Sequence, residues 1–135
     1  MGKRGQVAME YVILVGFLMV LSIPLVIIFT ENSRSVTDQV STNQAYSIGK
    51  KIIGTAETVA ALGTPSKSTV TLNFPAGITA ITVGPRSIVF NMSSGKYKTQ
   101  VEVVSAMNIT GSLNPAQGQK DVTIEALPGV VQITT

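Results

Sequence analysis

No cysteine, histidine or tryptophan occurs among the 135 residues, and only 13% of them are charged. Without a thiol or an imidazole the chain cannot build a Cys or His nucleophile, a Ser-His-Asp triad, a Cys/His zinc site or a haem ligated by those residues. Neither metal nor cofactor is expected, and no catalysis. A fold without cysteine draws its stability from packing or assembly, not from disulfides. Charge runs are also missing. Ten Lys+Arg against seven Asp+Glu give a net charge of +3, but the basic residues are scattered and form no stripe that would hold nucleic acid. Length and a 44% apolar content suit one domain plus one special segment.

The special segment is easy to locate. An apolar run fills residues 12–29, broken only by Gly16, Ser22 and Pro24. As a helix, eighteen residues rise about 27 Å, against about 30 Å for the hydrocarbon core of a bilayer. Lys3 and Arg4 precede the run, so the positive-inside tendency keeps residues 1–5 in the cytoplasm and sends everything after Thr30 outside. A cleaved secretory signal would be shorter and end in small residues. Here the run ends in Phe29-Thr30-Glu31-Asn32, so the segment is expected to stay. Pro24 removes one amide donor and crowds the Val20 carbonyl, which predicts a kink or a loosened turn inside the helix.

Helical periodicity continues beyond the run. Ala45, Ile48, Ile52, Ile53, Ala56, Val59, Ala60 and Leu62 fall on one broad face at 100° per residue, with Lys50 and Glu57 opposite. Gly63 then offers a helix end and Pro65 blocks continuation. A single helix over residues 6–62 would be about 85 Å long, more than a domain of this size can bury, so its apolar first half must find partners elsewhere. From residue 66 the period changes to two: Val70, Leu72 and Phe74 alternate with Thr69, Thr71 and Asn73, and Ile81 and Val83 follow. Further strands are expected over 87–92, 96–104, 107–113, 121–126 and 130–134, with turns at Gly84-Pro85, Ser93-Ser94-Gly95, Asn114-Pro115 and Leu127-Pro128-Gly129. Seventy β residues are marginal alone, so the face over 45–62 is expected to pack on the sheet. The expected class is α+β: a basic leader over 1–5, an apolar helix over 6–30, its amphipathic continuation over 31–63, and a small antiparallel β-rich head over 66–135.

The most informative stretch is Lys3-Arg4-Gly5-Gln6-Val7-Ala8-Met9-Glu10-Tyr11. It places a carboxylate at the mouth of a membrane helix, where the plain expectation is a hydrated interfacial residue. Its spacing offers more. A cut after Gly5 would make Gln6 the first residue and Glu10 the fifth, leaving an ammonium and a carboxylate about one helical turn apart. In a bundle of copies, the ammonium of one chain could neutralise Glu10 of the next, setting registry where an unpaired charge is costly. Lys3 and Arg4 would block this until removed, and their loss takes the formal side-chain charge from +3 to +1.

This stretch resembles the precursors of archaeal type IV pilins, which carry a class III signal peptide. The likeness rests on Gly5 before Gln6, Glu10 at the fifth mature position and Tyr11 behind it, over about the first 30 residues; Ala8 stands where the family often has Ser. The rest matches only in layout. The resemblance implies cleavage by a prepilin peptidase between Gly5 and Gln6, assembly of copies through their apolar helices, and an assembly platform and motor as partners. It further implies a membrane precursor that matures into an extracellular surface filament, here expected to serve adhesion.

Weaker signals lie in the head. Asn91-Met92-Ser93 and Asn108-Ile109-Thr110 match the N-glycosylation sequon, and strand alternation turns both asparagines to solvent. Glu102, Asp121 and Glu125 alternate with apolar neighbours as outward strand residues do, which leaves little room for a carboxylate hydrolase. Lys96, Tyr97 and Lys98 would suit an anionic surface or a glycan, although Lys on an exposed strand also discourages edge pairing. The chief alternative is an uncleaved single-span anchor that displays the head as a binding module.

Overall fold

The computed structural model describes residues 3–94 and 97–135, with the side chains of Lys3, Arg4, Arg34, Ser94 and Tyr97 outside that description. Met1 and Gly2 of the expected leader, and Lys96, lie outside the described residues. One helix, α1 (Lys3–Leu62), precedes seven strands: β1 (Lys67–Phe74), β2 (Ile78–Val83), β3 (Ser87–Ser94), β4 (Tyr97–Val104), β5 (Ile109–Ser112), β6 (Gly118–Leu127) and β7 (Val130–Thr134). The chain divides into two compact units, Met1–Thr37 and Asp38–Thr135. The α+β class expected from periodicity is the class observed.

In the first unit, α1 carries its apolar residues on every side, with Pro24 inside the helix. None of the described residues of this unit covers them.

The second unit has a core. Ala45, Ile48, Ile52, Ile53, Ala56 and Val59 are buried at helical spacing along α1, while Lys50 and Glu57 are exposed on its other side. Leu62, expected on the packed face, is instead 73% exposed. It is the last helical residue, and the chain turns at Gly63, whose φ of +77° is the left-handed conformation that a glycine C-cap adopts. The Gly63 amide donates to the Ala60 carbonyl at 3.0 Å, which closes the helix.

Seven strands form two sheets where a single sheet was expected. The larger has the order β1-β6-β7-β5 and the smaller β2-β3-β4. Both contribute to one core cluster: Leu72, Phe74, Val122, Ile124 and Ile133 from the first, Ile88, Phe90, Val101 and Val103 from the second. Pairing is antiparallel except between β5 and β7, which run parallel with Ile109 opposite Val131 and Ser112 opposite Thr134. The chain between β5 and β6 crosses back to the other edge of β7, so β5 joins in the direction opposite to a hairpin. At this pairing Gly111 holds φ +139°, and a Cβ there would collide with the Ile133 carbonyl oxygen. Only glycine fits that approach. The Ser105 amide donates to the Arg86 carbonyl at 2.7 Å, extending the β3–β4 pair, and the Ile109 amide at the start of β5 donates to the Pro85 carbonyl at 2.9 Å, linking the two sheets.

Helix and sheet approach closely at Gly49. A Cβ on it would stand 2.7 Å from Val103 Cγ2 and 3.0 Å from Phe90 Cε2, so a helix-interior glycine, costly for propensity, is here the condition of contact.

Candidate assembly site

Gly5, Gln6, Glu10 and Tyr11 lie in the first turns of α1 and are exposed. Lys3 and Arg4 share the helix backbone. Residues 6 and 10 are one turn apart, and the Gln6 Nε2 donates to Glu10 Oε1 at 3.4 Å. This contact was not anticipated. It follows from i,i+4 spacing, and it shows that the side chains of these two positions reach one another along the helix.

Beyond Tyr11 the site is a cylinder of apolar side chains. Exposure runs from 37% at Val15 to 72% at Leu25 and Phe29, and the segment is 0% buried over its most apolar eighteen-residue window. Length and composition make it able to cross a membrane, either as an anchor or as a signal. Its polar groups are turned inward on the helix itself: Ser22 Oγ donates to the Met19 carbonyl at 2.7 Å, and Thr30 Oγ1 to the carbonyls of Ile27 at 2.8 Å and Val26 at 3.1 Å. These back-bonds were legible in principle, since a hydroxyl in an apolar helix has no other acceptor within reach. What the arrangement can do is bury surface. Covering one such side chain stabilises by about 1.5–3 kcal/mol, so the run as a whole demands lipid or protein around it.

The head holds the remaining expected residues. Asn108 is exposed but lies just before β5, which begins at Ile109 and is shorter than the strand expected over 107–113. Asn91 is half-buried, and its Oδ1 accepts from Gln100 Nε2 at 2.9 Å across the β3–β4 pair. Its outward side chain is thus engaged by a neighbouring strand. Among the carboxylates, Asp121 accepts from Thr71 Oγ1 at 2.6 Å, Glu125 pairs with Lys67 at 3.7 Å, and Glu102 is exposed. Asp121 and Glu125 each face a β1 partner in the cross-strand register. Among the described residues no group of three or more Asp and Glu is placed to hold a metal ion.

No protein-family model matches the chain, and neither the curated proteins nor the solved structures yield a match. What is established is therefore an architecture: a long N-terminal apolar helix followed by a small β-rich domain.

Proposed function

We propose that this chain is a structural subunit of a surface filament, a pilin of the archaeal type IV kind, assembled through its N-terminal helix after removal of the leader. The observation that carries the reading is the contrast inside α1: residues 12–29 are exposed on all sides, directly behind the sequence Gly5-Gln6…Glu10-Tyr11. A membrane anchor needs the apolar run but not that preceding pattern.

In this reading a prepilin peptidase cuts between Gly5 and Gln6, Lys3 and Arg4 leave with the leader, and the helix exchanges lipid for the helices of other copies. Extraction into water would expose the whole run, so leaving the bilayer and joining the filament are one coupled event, driven by an assembly platform and motor. Glu10 then takes the ammonium of Gln6 from a neighbour. In the precursor that carboxylate is within reach of the Gln6 amide of its own chain, so the trade replaces a neutral donor by a charged one. The head forms the outer surface and serves adhesion, with glycan at the exposed Asn108 favoured over the half-buried Asn91. No reaction is catalysed.

Glu10→Ala tests the pairing. The precursor should be made and cut normally, with filament yield falling at least tenfold, counted by electron microscopy of sheared surface material. Normal filament numbers from Glu10→Ala would remove the pairing from the mechanism.

A further inference from the structure

Between Val7 and Thr30 the sequence holds only three side-chain hydroxyls or amides that can donate a hydrogen bond: Tyr11, Ser22 and Thr30. Ser22 and Thr30 spend theirs on carbonyls of their own helix. Tyr11 is 68% exposed, and its hydroxyl has no partner among the described residues. Along the same stretch one backbone acceptor is deprived of its helical donor. Pro24 has no N–H to give to the Val20 carbonyl, and the Ser22 hydroxyl goes to Met19 instead. Beyond the Glu10 carboxylate, the segment therefore presents one side-chain donor without a partner among the described residues and one backbone acceptor without its helical donor.

The hydroxyl is tolerable while the helix stands alone at a membrane, whereas the Val20 carbonyl, midway along the run, lacks a partner there as well. Tyr11 lies at the N-terminal mouth of the run, where a phenol keeps its ring in the apolar layer and its hydroxyl in water. Packing among other helices removes that water, and an unmatched polar group then carries its full desolvation cost.

Building on the filament reading, we infer that the Tyr11 hydroxyl of one copy donates to the Val20 carbonyl of an adjacent copy, and that this contact fixes how far neighbouring helices are offset along their axes. The two groups cannot meet within one chain, because nine residues separate them by about 13–14 Å of helix. Copies inserted with the same orientation pack in parallel. Helical side chains lean toward the N-terminus and carbonyls point toward the C-terminus, so meeting requires the donor copy to sit about 14–20 Å further along in the C-terminal direction. Pro24, expected from sequence as a kink, acquires a second role: it uncovers the acceptor.

The test is a cycle of two substitutions in the full-length chain, read as the fraction of subunit released from purified filaments by mild detergent. Tyr11→Phe keeps the ring and removes the donor, leaving the carbonyl unmatched. Pro24→Ala restores a helical N–H to Val20 and leaves the hydroxyl unmatched. Each single variant should release about tenfold more subunit than the parent, while the double variant, which has neither unmatched group, should return to within about threefold of it. If Tyr11→Phe forms no filaments at all, the same logic demands that adding Pro24→Ala restores them. Losses that simply add, or a Tyr11→Phe filament as robust as the parent, overturn the contact. Unchanged precursor processing and unchanged thermal melting of the head exclude a folding defect. Absence of filaments from the parent chain would contradict the filament reading as well, whereas parent filaments with additive losses would contradict the contact alone.

Discussion

Two stretches of the same helix are rich in aliphatic residues and meet opposite fates. Residues 12–29 expose all their large apolar side chains; from Ala45 to Val59 the Ala, Ile and Val side chains are buried, with Ile52 at 0% exposure. Helix propensity does not separate them. Arrangement does: in the second stretch apolar residues recur at steps of three and four with polar residues between, so one face suffices to bury them against a single domain. In the first they occur at every angle, and no single packing surface can cover a cylinder. A helix apolar all round must be enclosed, by lipid or by several other helices. One stretch is finished within the chain, and the other is finished only by its surroundings.

The sharpest way to break the comparison is to cut it. A fragment over residues 38–135 keeps the helix face that completes the core and should unfold cooperatively in water. A fragment over residues 66–135 loses that face and should show no cooperative transition by circular dichroism. A folded β fragment would mean that the sheets close their own core and that the helix face is incidental.

Next in size is Gly111→Ala, whose Cβ would collide with the Ile133 backbone at a φ of +139°. It should cost about 3–5 kcal/mol and free β5 from β7, seen as accelerated amide exchange of both strands. Ile52→Ala should destabilise the head by about 2–5 kcal/mol, while Leu18→Ala, the same loss of apolar volume in the exposed stretch, should leave head melting unchanged. A head equally sensitive to both would erase the distinction between the stretches. Smallest is Lys67→Ala, because the 3.7 Å pair with Glu125 has its side chains 58% and 40% exposed. A shift within about 1 kcal/mol is expected in denaturant unfolding, fading with salt.

Much of this fold was legible in the sequence. The period of 3.6 over 45–59 and the period of two from Val70 onward each report which side chains face a core, and β7 falls over 130–134 as alternation and flanking turns require. Leu62 was misplaced because periodicity continues to the last helical residue while the packing stops sooner. The split into two sheets and the parallel β5–β7 pair were not legible, since alternation records the face of a strand and not its neighbour. Asn91 was placed on the correct face, but its bond to Gln100 depends on the β3–β4 register, which no local pattern encodes. At the N-terminus the sequence exposes the unusual features directly, from Gly5 to Tyr11 and through the apolar run. Their partners are other molecules, and a single chain places only one side of such a contact.

The central claim, that the exposed stretch is completed by copies of the chain after trimming, is tested most directly by the intact mass of the native protein recovered from sheared surface material and, separately, from membranes. The account predicts a chain over residues 6–135 in the sheared fraction, with any glycan as added mass. A chain that begins at Met1 and is confined to membranes would contradict it and make the run an uncleaved anchor.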